Sequence, residues 1–110
     1  MLRRGGSGAV SPLNATMMMN KQDAVVVDIR DAEDYARGHI LNARNIPFKE
    51  IDARAAELQK YKNKPVIVVC DKGIRGAAGA ASLKKLGFAE AVTLEGGLSA
   101  WLAAGLPTAK

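Results

Sequence analysis

Four consecutive β-branched residues, Val66-Ile67-Val68-Val69, run without a break into Cys70 and then into Asp71-Lys72-Gly73-Ile74-Arg75-Gly76. Entered through Pro65, this run has no polar face to offer solvent, so it predicts a strand buried on both sides in a parallel sheet. Open α/β sheets bind ligands at the carboxyl ends of their strands. The stretch from Gly76 to Leu86, rich in alanine and closed by Gly87, predicts a helix, so the loop after Cys70 leads into a helix amino terminus. A lone cysteine is ordinarily a small packing residue. Here the loop amides, the helix dipole, Lys72 and Arg75 all favour an anionic sulfur, and the context predicts a nucleophile.

The rest of the chain repeats the alternation of strand and helix. Ser11-Pro12 reads as N-cap and first residue of a helix that ends near Met17-Met18-Met19. Three adjacent methionines cannot share one helix face, so at most two are expected in the core. Ala24 to Asp28 predicts a second buried strand ending in a carboxylate, followed by a helix capped by Asp31, with acidic residues in its first turn, and stopped at Gly38. A short strand is expected from Ala43 to Ile46. A helix is expected from Lys49 to Lys60, with Ile51, Ala55 and Leu58 on one face. After the Cys70 strand and its helix, a strand from about Ala91 to Leu94 turns at Gly96-Gly97 into a last helix carrying Leu98, Trp101 and Leu102. The alternation predicts an α/β fold, a parallel sheet covered by helices on both faces.

A chain of 110 residues holds one domain with one core. One cysteine builds no internal disulfide framework, which fits a reducing, cytoplasmic compartment, and no segment approaches the roughly 18 apolar residues of a membrane span. The formal charge of +5 is spread among carboxylates, and only 5% of residues are aromatic, which argues for a solvated basic surface rather than nucleic-acid binding. Residues 1–10, opening Met1-Leu2-Arg3-Arg4-Gly5-Gly6-Ser7-Gly8, read as a flexible segment, or as the stub of a linker to a membrane tether if the native start is longer.

Four segments in order resemble the single-domain rhodanese family of sulfurtransferases. They are Val27-Asp28-Ile29-Arg30 with Glu33-Asp34-Tyr35; Gly38-His39-Ile40 with Ala43-Arg44-Asn45-Ile46-Pro47; the Cys70 loop ending in Gly73-Ile74-Arg75; and Glu95-Gly96-Gly97 with Trp101. The resemblance runs over residues 11–107. It implies a rhodanese-like fold with a five-stranded, mainly parallel sheet and helices on both faces.

It further implies that Cys70 is the sulfur-accepting nucleophile and that Asp71, Lys72, Gly73, Ile74, Arg75 and Gly76 form the substrate cradle. The donor would be a small anion such as thiosulfate. The acceptor would be a thiol, cyanide or a protein nucleophile, and no metal or organic cofactor is implied. Asp28 and Arg30 would order the loops around the site, and His39 would belong to a structural turn remote from the nucleophile. Two positions depart from the family pattern. Gly76 stands where a serine is frequent, and Asp71 places a carboxylate next to Cys70, where it opposes an anionic sulfur and repels a dianionic donor. Two other functions compete with sulfur transfer. A phosphatase or arsenate reductase loop has five residues between cysteine and arginine, whereas here there are four, Asp71 to Ile74. A rhodanese-fold binding or regulatory module without turnover is the other.

Overall fold

In the computed structural model, which describes residues 8–71 and 75–110, the chain enters the fold through a strand at Ala9–Val10 (β1). Helix α1, Pro12–Gln22, starts as the sequence predicts, with the Ser11 hydroxyl accepting a hydrogen bond from the Asn14 amide at 3.1 Å. Strand β2 is Val25–Asp28 and helix α2 is Ala32–Arg37. Asp31 occupies the N-cap position of α2, but its side chain makes no capping hydrogen bond. Two short strands follow, β3 at His39–Ile40 and β4 at Arg44–Asn45. Residues 48–61 contain one α-helical turn, Ile51–Arg54 (α3), between 3-10 segments at Phe48–Glu50 and Ala55–Tyr61. Then come β5, Val66–Val69; α4, Gly76–Lys85; β6, Ala91–Leu94; α5, Gly97–Ala103; and β7, Thr108–Ala109.

The continuous helix expected from Lys49 to Lys60 is therefore a composite. Ile51, Ala55 and Leu58, spaced by four and by three, all reach the core as expected, but that spacing fits an unbroken α-helix as well as this composite. Two further differences lie at the ends. Ala9 and Val10 join the main sheet instead of belonging to the N-terminal segment, of which residues 1–7 lie outside the described residues. Thr108–Ala109 pairs beyond Pro107. Strands of two residues carry no periodicity to read.

The main sheet has five strands in the order β1-β6-β5-β2-β4, every neighbouring pair parallel. A separate antiparallel pair joins β3 to β7. Strand β5 lies at the centre between β2 and β6, and its four residues are fully buried. Its alternate side chains feed two cores. Val66, Val68 and Cys70 pack with Ile29, Ile51, Leu58, Leu83 and Phe88 on one face. Ile67 and Val69 pack with Ala15, Ile40, Leu94, Leu98 and Trp101 on the other. Burying one such aliphatic side chain is worth about 1.5–3 kcal/mol, so the central strand anchors both layers. Of the three methionines, Met18 and Met19 pack against the second core and Met17 is exposed.

Helix α4 lies close on this sheet because its first turn is made of small residues. A Cβ at Gly79 would stand 3.1 Å from both Ile29 and Val68 side chains. At Gly76 a Cβ would collide with the hydroxyl of Thr93 and come within 2.9 Å of the Thr93 Cβ. Thr93 thus occupies the space that a serine side chain at position 76 would need, and Gly76 is the steric complement of β6. Gly76→Ser is expected to lower stability by about 1–3 kcal/mol, and Thr93→Ala in the same chain to recover most of that loss, as read from urea unfolding midpoints. Additive losses in the double variant would sink the pairing.

Candidate active site

Strand order locates the crevice before any side chain is considered. From β2 the chain passes to β4 on one side, and from β5 it passes to β6 on the other, so the connections diverge between β2 and β5. In open parallel sheets, the carboxyl ends of two such strands form the ligand-binding crevice. Here the residues leaving β2 are Ile29 and Arg30, and those leaving β5 are Cys70 and Asp71. The Ile29 amide donates to the Val69 carbonyl at 2.9 Å, which keeps the two exits side by side.

The β2 exit is set by a buried ion pair. Arg30 Nε donates to Asp28 Oδ1 at 2.9 Å and Nη2 donates to Oδ2 at 2.8 Å, while the Arg30 amide donates to Oδ1 at 3.0 Å. The same Nη2 donates to the Gly38 carbonyl at 2.7 Å, and the Asn45 side-chain amide donates to the carbonyls of Asp28 and Arg30. Burial disfavours the guanidinium charge, but the hydrogen bond and charge of Asp28 outweigh it. Asp71 and Asp34 add to that attraction, so the Arg30 pKa is raised. Arg30 Nη1 then stands 3.8 Å from Asp71 Oδ1, across the crevice.

The β5 exit is held from the opposite side by α5. The Leu98 amide donates to the Cys70 carbonyl at 2.8 Å and the Ser99 amide to the Asp71 carbonyl at 3.1 Å, so unpaired amides of a helix start are spent on the loop backbone. That approach needs glycine at position 97: φ is +61°, and a Cβ there would collide with the Cys70 carbonyl oxygen and stand 2.7 Å from the Asp71 carbonyl carbon. Cys70 itself is 7% exposed, whereas the Asp71 side chain is 67% exposed.

Arg75 ends the loop at the N-cap position of α4 and is exposed, with its guanidinium carbon 5.5 Å from the centroid of the Phe48 ring. Gly76 is the first residue of α4 and is buried. Lys72, Gly73 and Ile74 lie outside the described residues. The geometry therefore brings Cys70, Asp71, Arg75 and Gly76 to one end of the sheet. It adds residues that sequence alone did not single out for the site: Phe48 under Arg75, Asn45 locking the β2 exit, and Leu98 and Ser99 supplying amides. Only Asn45 lay within a family motif; the others take part through backbone or ring contacts that leave no local signature.

His39 is buried and committed elsewhere. Its ring stacks on Tyr35 with centroids 3.7 Å apart, and its Nδ1 lies 2.7 Å from the Tyr35 carbonyl, while the Tyr35 hydroxyl donates to the Ala43 carbonyl. Trp101 is core, with Nε1 donating to the Pro107 carbonyl at 2.9 Å. Among the described residues, no three His, Cys, Asp or Glu side chains are grouped to hold a metal ion. Nor is any helix there long and apolar enough to cross a membrane.

Residues 11–104 match the family described as Rhodanese-like domain. The chain is 44% identical over 94 residues to the uncharacterized protein YibN of Escherichia coli, covering 84% of this chain and 66% of that protein. It is 36% identical over 99 residues to the thiosulfate sulfurtransferase GlpE of Coxiella burnetii, covering 86% of each. A rhodanese-related protein from Thermoplasma volcanium superposes with a TM-score of 0.81 at 28% identity, over 92% of this chain and 96% of that one. The chain thus spans just under two thirds of its Escherichia coli relative, 86% of the Coxiella burnetii protein and 96% of the Thermoplasma volcanium one. With the parallel five-stranded sheet and the match over residues 11–104, the chain belongs to the rhodanese-like domain family.

Proposed function

We propose that this protein is a sulfurtransferase that carries sulfane sulfur on Cys70. The observation that supports it most is the placement of the cysteine: at the carboxyl end of the central strand, in the crevice where the connections diverge, with Arg75 at the start of the following helix. Similarity to a thiosulfate sulfurtransferase over 86% of the chain supports the same reaction class.

In the first half-reaction the Cys70 thiolate attacks the outer sulfur of a donor such as thiosulfate. A new S–S bond forms, the donor's S–S bond breaks, and sulfite leaves with its electron pair. The enzyme holds a persulfide. In the second half, cyanide or a thiolate attacks the terminal sulfur and Cys70 leaves as thiolate, so the enzyme returns to its starting state without net oxidation. Arg75, braced on Phe48, and Lys72 are assigned to the donor's oxygens, and the loop amides from Asp71 to Gly76 to the terminal sulfur of the persulfide. Turnover of a lone thiol suits a reducing, cytoplasmic setting.

Asp71 sets the charge at the mouth of the site. Its carboxylate is largely exposed and Arg30, 3.8 Å away, is shared with Asp28, so the carboxylate is only partly neutralised. A dianionic donor meets this charge directly, and a neutral or monoanionic one meets it less. The favoured donor is therefore one with less charge than thiosulfate.

Cys70→Ser is expected to abolish transfer between thiosulfate and cyanide while unfolding at the same denaturant concentration. The wild type, incubated with excess thiosulfate, is expected to gain the mass of one sulfur atom, removable by reductant. Retention of a tenth of the activity in Cys70→Ser would refute the assignment, and absence of the mass gain with any sulfane donor would leave a non-catalytic binding module in its place. Aryl-phosphate hydrolysis that depends on Cys70 would change the reaction class.

Asp71→Asn should raise kcat/KM for thiosulfate a few-fold, corresponding to about 1 kcal/mol for a partly screened charge. The gain should shrink as salt rises past about 0.1 M, where exposed charges are screened over about 10 Å. An unchanged constant at low salt would discard the charge argument.

A further inference from the structure

At the opposite end of the strands from Cys70, a half-open cleft of about 540 Å³ is bounded by the beginnings of β2 and β4 and by α1. Met19, Ala24 and Val25, each partly exposed, give it an apolar lining in front of the buried Ile40 and Trp101, and Asn20, Asn42 and Arg44 are exposed around it. No carboxylate lines it. Apolar exposure continues past the cleft itself. Leu41 lines it and is half exposed, and Leu13 and Met17, also exposed, lie three residues from the lining Thr16 and Asn20 on α1, one helical turn away.

One edge of the cleft is strongly basic. Tyr61 lines it, and three cations gather on that single ring: Arg44 at 5.0 Å from the centroid, Lys60 at 5.4 Å and Lys64 at 6.0 Å. Arg44 also donates to the Tyr61 hydroxyl. Asp23, which closes α1, is the carboxylate nearest in sequence and does not line the cleft. Arg44, Lys60 and Lys64 belong to none of the crevice contacts around Cys70.

We propose that this cleft docks an acidic amphipathic segment of a partner protein, with apolar side chains against Met19, Ala24, Val25 and Leu41 and carboxylates on Arg44, Lys60 and Lys64. Charge complementarity selects this occupant. A second copy of a chain carrying net charge +5 would bring like charge to a basic edge. A flat anionic bilayer would meet the cations but leave the concave apolar lining unfilled. A peptide satisfies both, and it covers the flanking Leu13, Met17 and Leu41. The docking is independent of the chemistry assigned to Cys70 and stands or falls separately from it.

The test is a titration of the nitrogen-15-labelled full chain with a peptide of about twelve residues carrying Leu and Glu on opposite faces of a helix, beside its Lys-for-Glu counterpart. At an ionic strength of about 0.15 M, the Glu peptide should produce saturable amide shifts at Asn20, Leu41, Asn42 and Tyr61. The Lys peptide should produce none. Arg44→Glu should weaken binding about tenfold, as removal and reversal of a docking charge does, and Leu41→Ser should weaken it independently of salt. Should Arg44→Glu perturb the fold, Lys60→Glu with Lys64→Glu serves the same purpose. Absence of saturable shifts, shifts centred elsewhere, or an equal response to the Lys peptide overturns the proposal. So do concentration-dependent shifts at these residues without peptide, which would mean self-association, and saturation of them by phosphatidylserine vesicles that the Glu peptide cannot displace.

Discussion

The contact on which the crevice depends is the ion pair between Asp28 and Arg30. Both side chains are almost wholly buried, and the pair is bidentate, so neither charge is stranded. Removing one partner from such a pair costs about 3–5 kcal/mol, because the other is left as an uncompensated buried charge. The geometry does more than balance charge. Arg30 is tied at once to the end of β2, to the Gly38 carbonyl after α2 and, through Asp71, to the exit of β5. One guanidinium therefore sets the spacing of three loops, which is the scaffold role the family resemblance implied for these two residues.

Opposite that pair, the loop after β5 is gripped by its own backbone. Two amides at the start of α5 take the carbonyls of Cys70 and Asp71, and the glycine at position 97 allows the helix to come that near. A strand exit pinned from both sides fixes the backbone of Cys70 through main-chain hydrogen bonds. The cost is a pair of positions with no tolerance for a Cβ, Gly97 beside the Cys70 loop and Gly76 against Thr93. The glycine at 76 is thus a matter of packing: Thr93 on β6 fills the space that a side chain at position 76 would occupy.

Much of the fold was legible because its two central strands, β2 and β5, carry unbroken apolar runs. Val66 to Val69 and Val25 to Val27 are runs that only a doubly covered sheet accommodates, and the glycines at 38, 87, 96 and 97 mark the ends of elements as the sequence suggests. The short pieces were not legible. Ala9–Val10, His39–Ile40 and Thr108–Ala109 become strands only because a neighbouring edge offers them hydrogen bonds, and nothing in two residues announces that. The segment 48–61 hid its change of helical period because burial of Ile51, Ala55 and Leu58 suits either form. At the site, Cys70, Asp71 and Arg75 were visible as types in a pattern, whereas Phe48, Leu98 and Ser99 were not, since a ring face and a main-chain amide serve there irrespective of sequence motif.

What the sequence by itself determined is the class of fold and the place of the chain's one cysteine at the end of a buried strand, because burial on two faces and a loop at a strand's carboxyl end are local consequences of composition. Only the tertiary structure decided which charges meet. Asp71 follows Cys70 in sequence, yet its partner Arg30 comes from another strand. The three cations on Tyr61 come from β4 and from the far end of the segment before β5. Electrostatic and packing partners are chosen by distance in space, and that distance is set by the order of strands in the sheet, which no short stretch of sequence encodes.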